Sequence, residues 1–196
     1  MCWNSQVSLL TFIIGIVVAY TLFKRNKTYD KVVSVFIGFY SFVQFSEFLM
    51  WKSLEGEKYG FKSPEELNLF ASKLAYFNVF SHSAVVGYML YLETKNNMYL
   101  LGFLPLLYAI MTIPKFNTIS KPVEGSEGHL KWPFEVDFYI IVGLIMFYFF
   151  YSIPELRTMA LFYVVLYCLT FIPNNKGSAS NWCWISAFLS GYALIR

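Results

Sequence analysis

The chain has 196 residues, 57% of them hydrophobic, 21% aromatic and 14% charged, with a net charge of +3 and a mean hydropathy of +0.51. A water-soluble domain carries about a quarter charged residues, so a wetted globule is excluded. The scattered basic residues leave no footprint for nucleic acid.

A membrane helix takes about 20 residues, which predicts an all-α fold: one transmembrane bundle over residues 1–196 with about seven spans. Span 1 covers about Val7–Phe23 and is closed by Lys24, Arg25, Lys27 and Lys31. With no basic residues before it and no small-residue cleavage site after it, this run reads as a span that stays rather than a cleaved signal. Span 2 covers about Val32–Trp51, followed by a polar loop. Span 3 opens at Ser63-Pro64-Glu65-Glu66, with a capping Ser, Pro at the first helical position and acids in the first turn. It runs to about Leu92. Span 4, about Met98–Ile113, carries Pro105, and the long loop Pro114–Glu135 holds His129. Spans 5, 6 and 7 cover about Val136–Ser152, Pro154–Ile172 and Ala179–Ile195, the last two joined by a turn rich in Pro, Asn and Gly.

Lys and Arg divide equally between the two sides. The dense cluster directly after span 1 decides the direction and places the N-terminus outside. Glu55-Gly56, Lys62, Pro64 and Glu66 recur at the same spacing as Glu124-Gly125, Lys131, Pro133 and Glu135. Two outer loops feeding helices through a proline account for this echo; a duplicated helical hairpin is the sharper alternative.

Ionisable residues within a span are costly and mark candidate sites. Glu47 in span 2 and Lys73 in span 3 fall at comparable depth, so a pair across this hairpin is expected, with Gln44 on the Glu47 face. A structural ion pair or a snorkelling lysine would explain the same residues. His82 lies deeper, with Asn78 one turn earlier. It reads as a packing residue or a proton-handling group, and the His and Cys spacing predicts no metal site. At the chain ends, Cys2-Trp3 and Asn181-Trp182-Cys183 both open helices at the outer interface. They read as belt tryptophans and caps, or as two segments in contact with Cys2 and Cys183 paired in a disulfide or acting, with His129, as soft metal ligands. Span 7 has no lysine for a retinal Schiff base, and phosphate-loop, dinucleotide, zinc-protease and nucleophile-elbow motifs are absent.

The opening Met1-Cys2-Trp3-Asn4-Ser5-Gln6-Val7-Ser8, the stop Lys24-Arg25-Asn26-Lys27 and the run Glu47-Phe48-Leu49-Met50-Trp51 resemble a family of small polytopic membrane proteins. Its members open Met-Cys-Trp followed by Ser or Asn and occur in bacteria, algae and large DNA viruses. The resemblance implies a membrane bundle and links Cys2, Trp3 and Glu47, but it brings no activity. It implies a Gln-Pro pair in span 3, where this chain has His82-Ser83. A fainter likeness is to the seven-span sugar carriers, whose paired proline motifs are missing here.

The expectation is a multi-pass protein of a host-cell or viral membrane, with a polar pocket in the outer leaflet. The pocket would pass an ion, proton or small solute through Glu47, Lys73, Gln44, His82, Asn78, Asn181, Cys183, Cys2 and Trp3. Lipid is the first partner, a homo-oligomer a further one, and no cofactor is expected. The alternatives are a membrane enzyme acting on a lipid or small molecule, and a structural viral membrane protein with no site.

Overall fold

In the computed structural model, residues 4–122, 130–131, 137–171 and 182–195 are described. They form seven α-helices: α1 Ser5–Arg25, α2 Asp30–Leu54, α3 Pro64–Thr94, α4 Phe103–Thr112, α5 Asp137–Tyr151, α6 Arg157–Phe171 and α7 Trp182–Ile195. Short 3-10 turns at Asn97–Gly102, Ile113–Lys115 and Pro154–Leu156 flank α4 and lead into α6. Two antiparallel two-residue strands, β1 Lys121–Pro122 and β2 Leu130–Lys131, lie in the long loop.

The helix starts follow from the capping chemistry. The Asn4 side chain accepts a hydrogen bond from the Val7 amide at 2.9 Å. Ser63 accepts from Glu66 N at 3.3 Å, and Pro64 occupies the first turn of α3. Helices α1 and α3 end where Asn26 and Lys95 take left-handed backbone conformations, each donating its amide back into the last turn.

The all-α class stands, but seven spans do not. Three helical segments are long and apolar enough to cross a membrane: Ser5–Arg25, Asp30–Leu54 and Asn97–Lys115. The physical reason differs among the others. Helix α3 has ample length, 31 residues, but carries many polar side chains. Helices α5, α6 and α7 have 15, 15 and 14 residues, against the roughly 20 needed for hydrocarbon.

Consecutive helices run antiparallel in a register that can be followed along their length. Between α1 and α2, Arg25 pairs with Asp30, Ser34 Oγ donates to Ala19 O at 2.6 Å and the Phe12 and Phe42 rings lie 5.3 Å apart. Ser5 Oγ donates to Glu55 Oε1 at 2.7 Å. Between α2 and α3, Asn68 Nδ2 donates to Ser53 Oγ at 2.9 Å, and Tyr40 and His82 have ring centroids 5.7 Å apart. In that register Gln44 is level with Asn78, and Glu47 with Ala75.

Helix α3 meets the Asn97–Gly102 turn with no clearance. Ser83 Oγ donates to Gly102 O at 2.9 Å. A Cβ on Gly87 would sit 2.2 Å from Tyr99 O, and one on Gly102 would sit 2.0 Å from Ser83 O. Ser83 and Gly87 form the small-xxx-small spacing that lets backbones approach inside a membrane. At the same end of the molecule Arg25 reaches α7, donating to Leu194 O at 2.7 Å and Ala193 O at 3.2 Å. Helices α1 and α7 are therefore neighbours with their C-terminal ends together.

The core is apolar, but so is much of the exterior, and several polar side chains are buried. Leu10, Ile13, Ile14, Val17, Tyr20 and Phe23 on α1 are exposed, as are Leu104, Leu107, Ile110 and Met111 on α4. Asp30, Gln44, Glu47, Asn68, Ser72 and Ser83 are buried. An apolar exterior of this extent would be costly in water and is at home in lipid.

Candidate functional site

The helical period builds a polar column inside the α2–α3 hairpin. On α2, Phe36, Tyr40, Gln44 and Glu47 recur at steps of four, four and three, which places them on one face. All four are buried, Gln44 and Glu47 fully. On α3, the buried face carries Asn68, Ser72, Asn78, His82 and Ser83. Because the helices are antiparallel, the two stripes oppose each other along the hairpin.

His82 is the chemical centre of the half of this column nearer the α1–α2 turn. Its Nδ1 lies 2.9 Å from the Asn78 carbonyl oxygen. A carbonyl oxygen only accepts, so Nδ1 carries the proton and the neutral ring presents Nε2 as an acceptor. Nε2 is buried and, like Asn78 Oδ1, has no hydrogen-bond partner among the described residues. Phe36, Phe39 and Tyr40 surround the ring with centroids 6.3, 6.3 and 5.7 Å away. Beside it lies a cavity of about 20 Å³, lined by Phe36, Tyr40, Val79, His82, Val142, Gly143, Met146 and Tyr163. One water requires about 10–15 Å³, so the volume is that of a single water, and the wall around it is mostly apolar. Four helices, α2, α3, α5 and α6, contribute to its wall.

The end of the column at the α2–α3 turn is tied off by a knot of hydrogen bonds. Asn68, 2% exposed, donates to Ser53 Oγ and to Ser120 O and accepts from Ser120 N at 2.9 Å and from Ser72 Oγ at 3.2 Å. Ser120 Oγ in turn donates to Lys131 O at 3.0 Å. The loop between α4 and α5 is thereby fastened across the mouth of the hairpin, with Leu130 fully buried beneath it. Alongside, Glu55 holds both Ser5 and Lys52, the latter at 2.6 Å. The bond from Lys52 first, and that from Ser5 after it, keep the Glu55 carboxyl below its ordinary range.

The structure brings together Gln44, Glu47, Asn78 and His82 within one hairpin interior. It does not bring Lys73 to Glu47. The depth matches, since Glu47 is level with Ala75, but Lys73 shares a face with Phe70 and Phe77, both exposed. The ion pairs among the described residues are Arg25–Asp30 and Lys52–Glu55. Cys2, Trp3, His129 and Asn181 lie outside the described residues. Cys183 lies in α7 with its side chain outside them as well. The neighbouring of α1 and α7 is observed at their C-terminal ends; contact between the two chain ends lies outside the described residues. The second half of the sequence echo, apart from Lys131, lies outside them too. No group of three or more His, Cys, Asp or Glu that could hold a metal occurs among the described residues.

Sequence reading missed Tyr40, Tyr163 and the Asn68–Ser53–Ser120 knot. Tyr40 carried a signal, standing four residues before Gln44 on the Glu47 stripe. Tyr163 and Ser120 carried none, because helix α6 and the loop reach the hairpin only through the tertiary fold.

Comparison with known proteins adds one distant relative. The chain is 26% identical to Uncharacterized protein R287 of Acanthamoeba polyphaga mimivirus over 221 aligned positions, covering 95% of this chain and 91% of that one. The relationship spans nearly the whole fold and meets the viral part of the resemblance seen in the opening residues. The relative's name states no activity. No family model matches the chain, and no solved structure matches it.

Proposed function

We propose that this protein is a multi-pass membrane protein that handles protons within the bilayer through the α2–α3 column. The observation that carries the reading is the buried acceptor nitrogen of His82 beside a water-sized cavity. With its other nitrogen bonded to the Asn78 carbonyl, the neutral ring offers Nε2 as a proton acceptor, and Glu47 supplies a second titratable group on the opposing α2 stripe. The cavity of about 20 Å³ is too small for a solute larger than water, which is why the reading is of a proton. In this reading α3 also crosses the membrane. Its 31 residues span about 46 Å at 1.5 Å each, its outer residues Phe70, Phe77, Tyr88 and Leu92 are exposed and largely apolar, and Asn68, Ser72, Asn78, His82 and Ser83 are buried, with Lys73 the charged residue on the outer row.

Purified protein in liposomes containing a pH-sensitive dye tests this directly. Under an imposed pH gradient and a neutralising potassium current, the wild type should dissipate the gradient faster than protein-free liposomes. His82→Asn and Glu47→Gln should slow it by about tenfold or more, the range over which a positioned acid–base group acts. Wild-type liposomes no leakier than empty ones would overturn the reading.

A second reading is a structural membrane component. It is favoured by the tight interior, where Phe149, Phe150, Met159 and Leu156 are buried to a few per cent or less. That reading expects no gradient dissipation and no effect of either variant.

A further inference from the structure

A second feature lies at the opposite end of the hairpin from the Asn68 knot. Where α1 turns into α2, the backbone takes left-handed conformations at Asn26 and Tyr29. The turn opens into a cleft of about 420 Å³ lined by Asn26, Lys27, Thr28, Tyr29, Lys31 and Glu93. The volume is in the range of small-molecule sites, yet its lining is polar throughout. Lys27 and Lys31 are exposed and make no ion pair among the described residues. Arg25, the remaining cation of the turn, is committed to Asp30 and to the last carbonyls of α7.

The position of the cleft matters as much as its charge. It begins at the residue that ends Ser5–Arg25, a helix long and apolar enough to span a membrane. Its floor therefore lies where a lipid headgroup lies. Basic residues directly beyond a span attract anionic headgroups, each contributing about fivefold in affinity. The cleft also has a negative side. Burial first, and the carboxylates of Glu155 and Glu93 after it, hold the Tyr29 phenol above the ordinary range. An anion is thus confined to the Lys27–Lys31 side. Glu155 stands outside the lining, where Lys27 and Lys31 face the single carboxylate of Glu93, a balance that suits one phosphodiester rather than a polyphosphate.

We infer that the cleft of the α1–α2 turn is a binding site for a singly charged phosphate group, that of an anionic phospholipid headgroup held by Lys27 and Lys31. The site is independent of the proton-handling column and stands whether or not that column is active.

The test is thermal stabilisation of the full-length protein in a neutral detergent, titrated with short-chain phosphatidylglycerol, with short-chain phosphatidylcholine and with inorganic phosphate. Phosphatidylglycerol should stabilise the wild type saturably and phosphatidylcholine should not. The double variant Lys27→Gln/Lys31→Gln should weaken the phosphatidylglycerol response by about 20- to 30-fold. Glu93→Gln should strengthen it about threefold, because one repulsive charge is removed. Both changes are at exposed positions, so folding is retained, and the ligand-free midpoint checks that. Inorganic phosphate saturating at the same concentration as the lipid would assign the same cleft to free phosphate. An equal response to both lipids, or an unchanged response in the double variant, would overturn the site.

Discussion

The Arg25–Asp30 pair offers the sharpest test of how this bundle is held together. Asp30 is fully buried, and its carboxylate accepts from Arg25 Nε at 2.7 Å, from Arg25 Nη2 at 2.8 Å and from the Lys27 amide at 2.9 Å. The Arg25 side chain keeps 20% of its surface exposed and extends the same fork to Ala193 O and Leu194 O. One guanidinium therefore joins the α1–α2 turn to the end of α7. Arg25→Leu removes the counter-charge from a carboxylate that water does not reach, which costs about 3–5 kcal/mol. It also releases two carbonyls of α7. Asp30→Leu should cost less, because the arginine left behind reaches water through its exposed side. The double variant Arg25→Leu/Asp30→Leu should recover most of the loss, since replacing both partners of a buried pair by apolar groups is often close to neutral. In a chain of this size about 1 kcal/mol moves the midpoint by roughly 2–4 °C, so the arginine variant should unfold about 6–20 °C lower in detergent. Midpoints of the two single variants and the double one, read by tryptophan fluorescence, form a complete cycle. If Arg25→Leu melts with the wild type, or the double variant is no better than the arginine variant, the buried carboxylate is not what the pair protects.

Gly87→Ala and Gly102→Ala should each cost about 1–3 kcal/mol or more, read as a lowered midpoint, because a methyl group would meet backbone carbonyl oxygens rather than a yielding side chain. Asn68→Ala should release the loop carrying Ser120, seen as faster protease cleavage between residues 116 and 131 with the helices still protected; unchanged cleavage would show the loop is held elsewhere. Ser63→Ala should cost about 1 kcal/mol, the usual worth of an N-cap, and Ser63→Asp should restore it. Glu55, held below the ordinary carboxylate range by Lys52 and Ser5, contributes stability that is present above about pH 4.3 and fades as the pH falls through its lower folded value. The effect is small because the pair is partly exposed, and Glu55→Gln should remove that acid-side slope.

How much of this was legible follows from what periodicity can and cannot carry. The starts at Asn4 and Ser63 were readable because capping is local. The burial of Glu47 was readable because a charge inside a span must turn inward. Depth along a helix was also readable, and Glu47 and Lys73 do fall at similar levels. The face was not: Lys73 stands three residues after Phe70 and four before Phe77, an outward row that depth alone does not reveal. The count of spans failed at α3 for a related reason. Its 31 residues suit a span in length, but Asn68, Ser72, Asn78 and His82, with Lys73, keep it out of the segments apolar enough to cross a membrane. The 20 Å³ cavity was beyond reach, because its wall needs α5 and α6 set beside the hairpin.

The absence of clearance at Gly87 and Gly102 has a mechanical consequence. Backbones in direct contact, with Ser83 bonded across the seam, leave α3 and the turn at Asn97–Gly102 no room to slide, so they move as one rigid body. The seam runs within one residue of His82, on the turn that carries it. Helices α5 and α6 meet the other side of that histidine through Val142, Gly143, Met146 and Tyr163, where a hollow replaces contact. Phe149 of α5 closes on the seam at Gly87 and Gly102, so near His82 the slack in the packing is confined to the small hollow on the α5–α6 side.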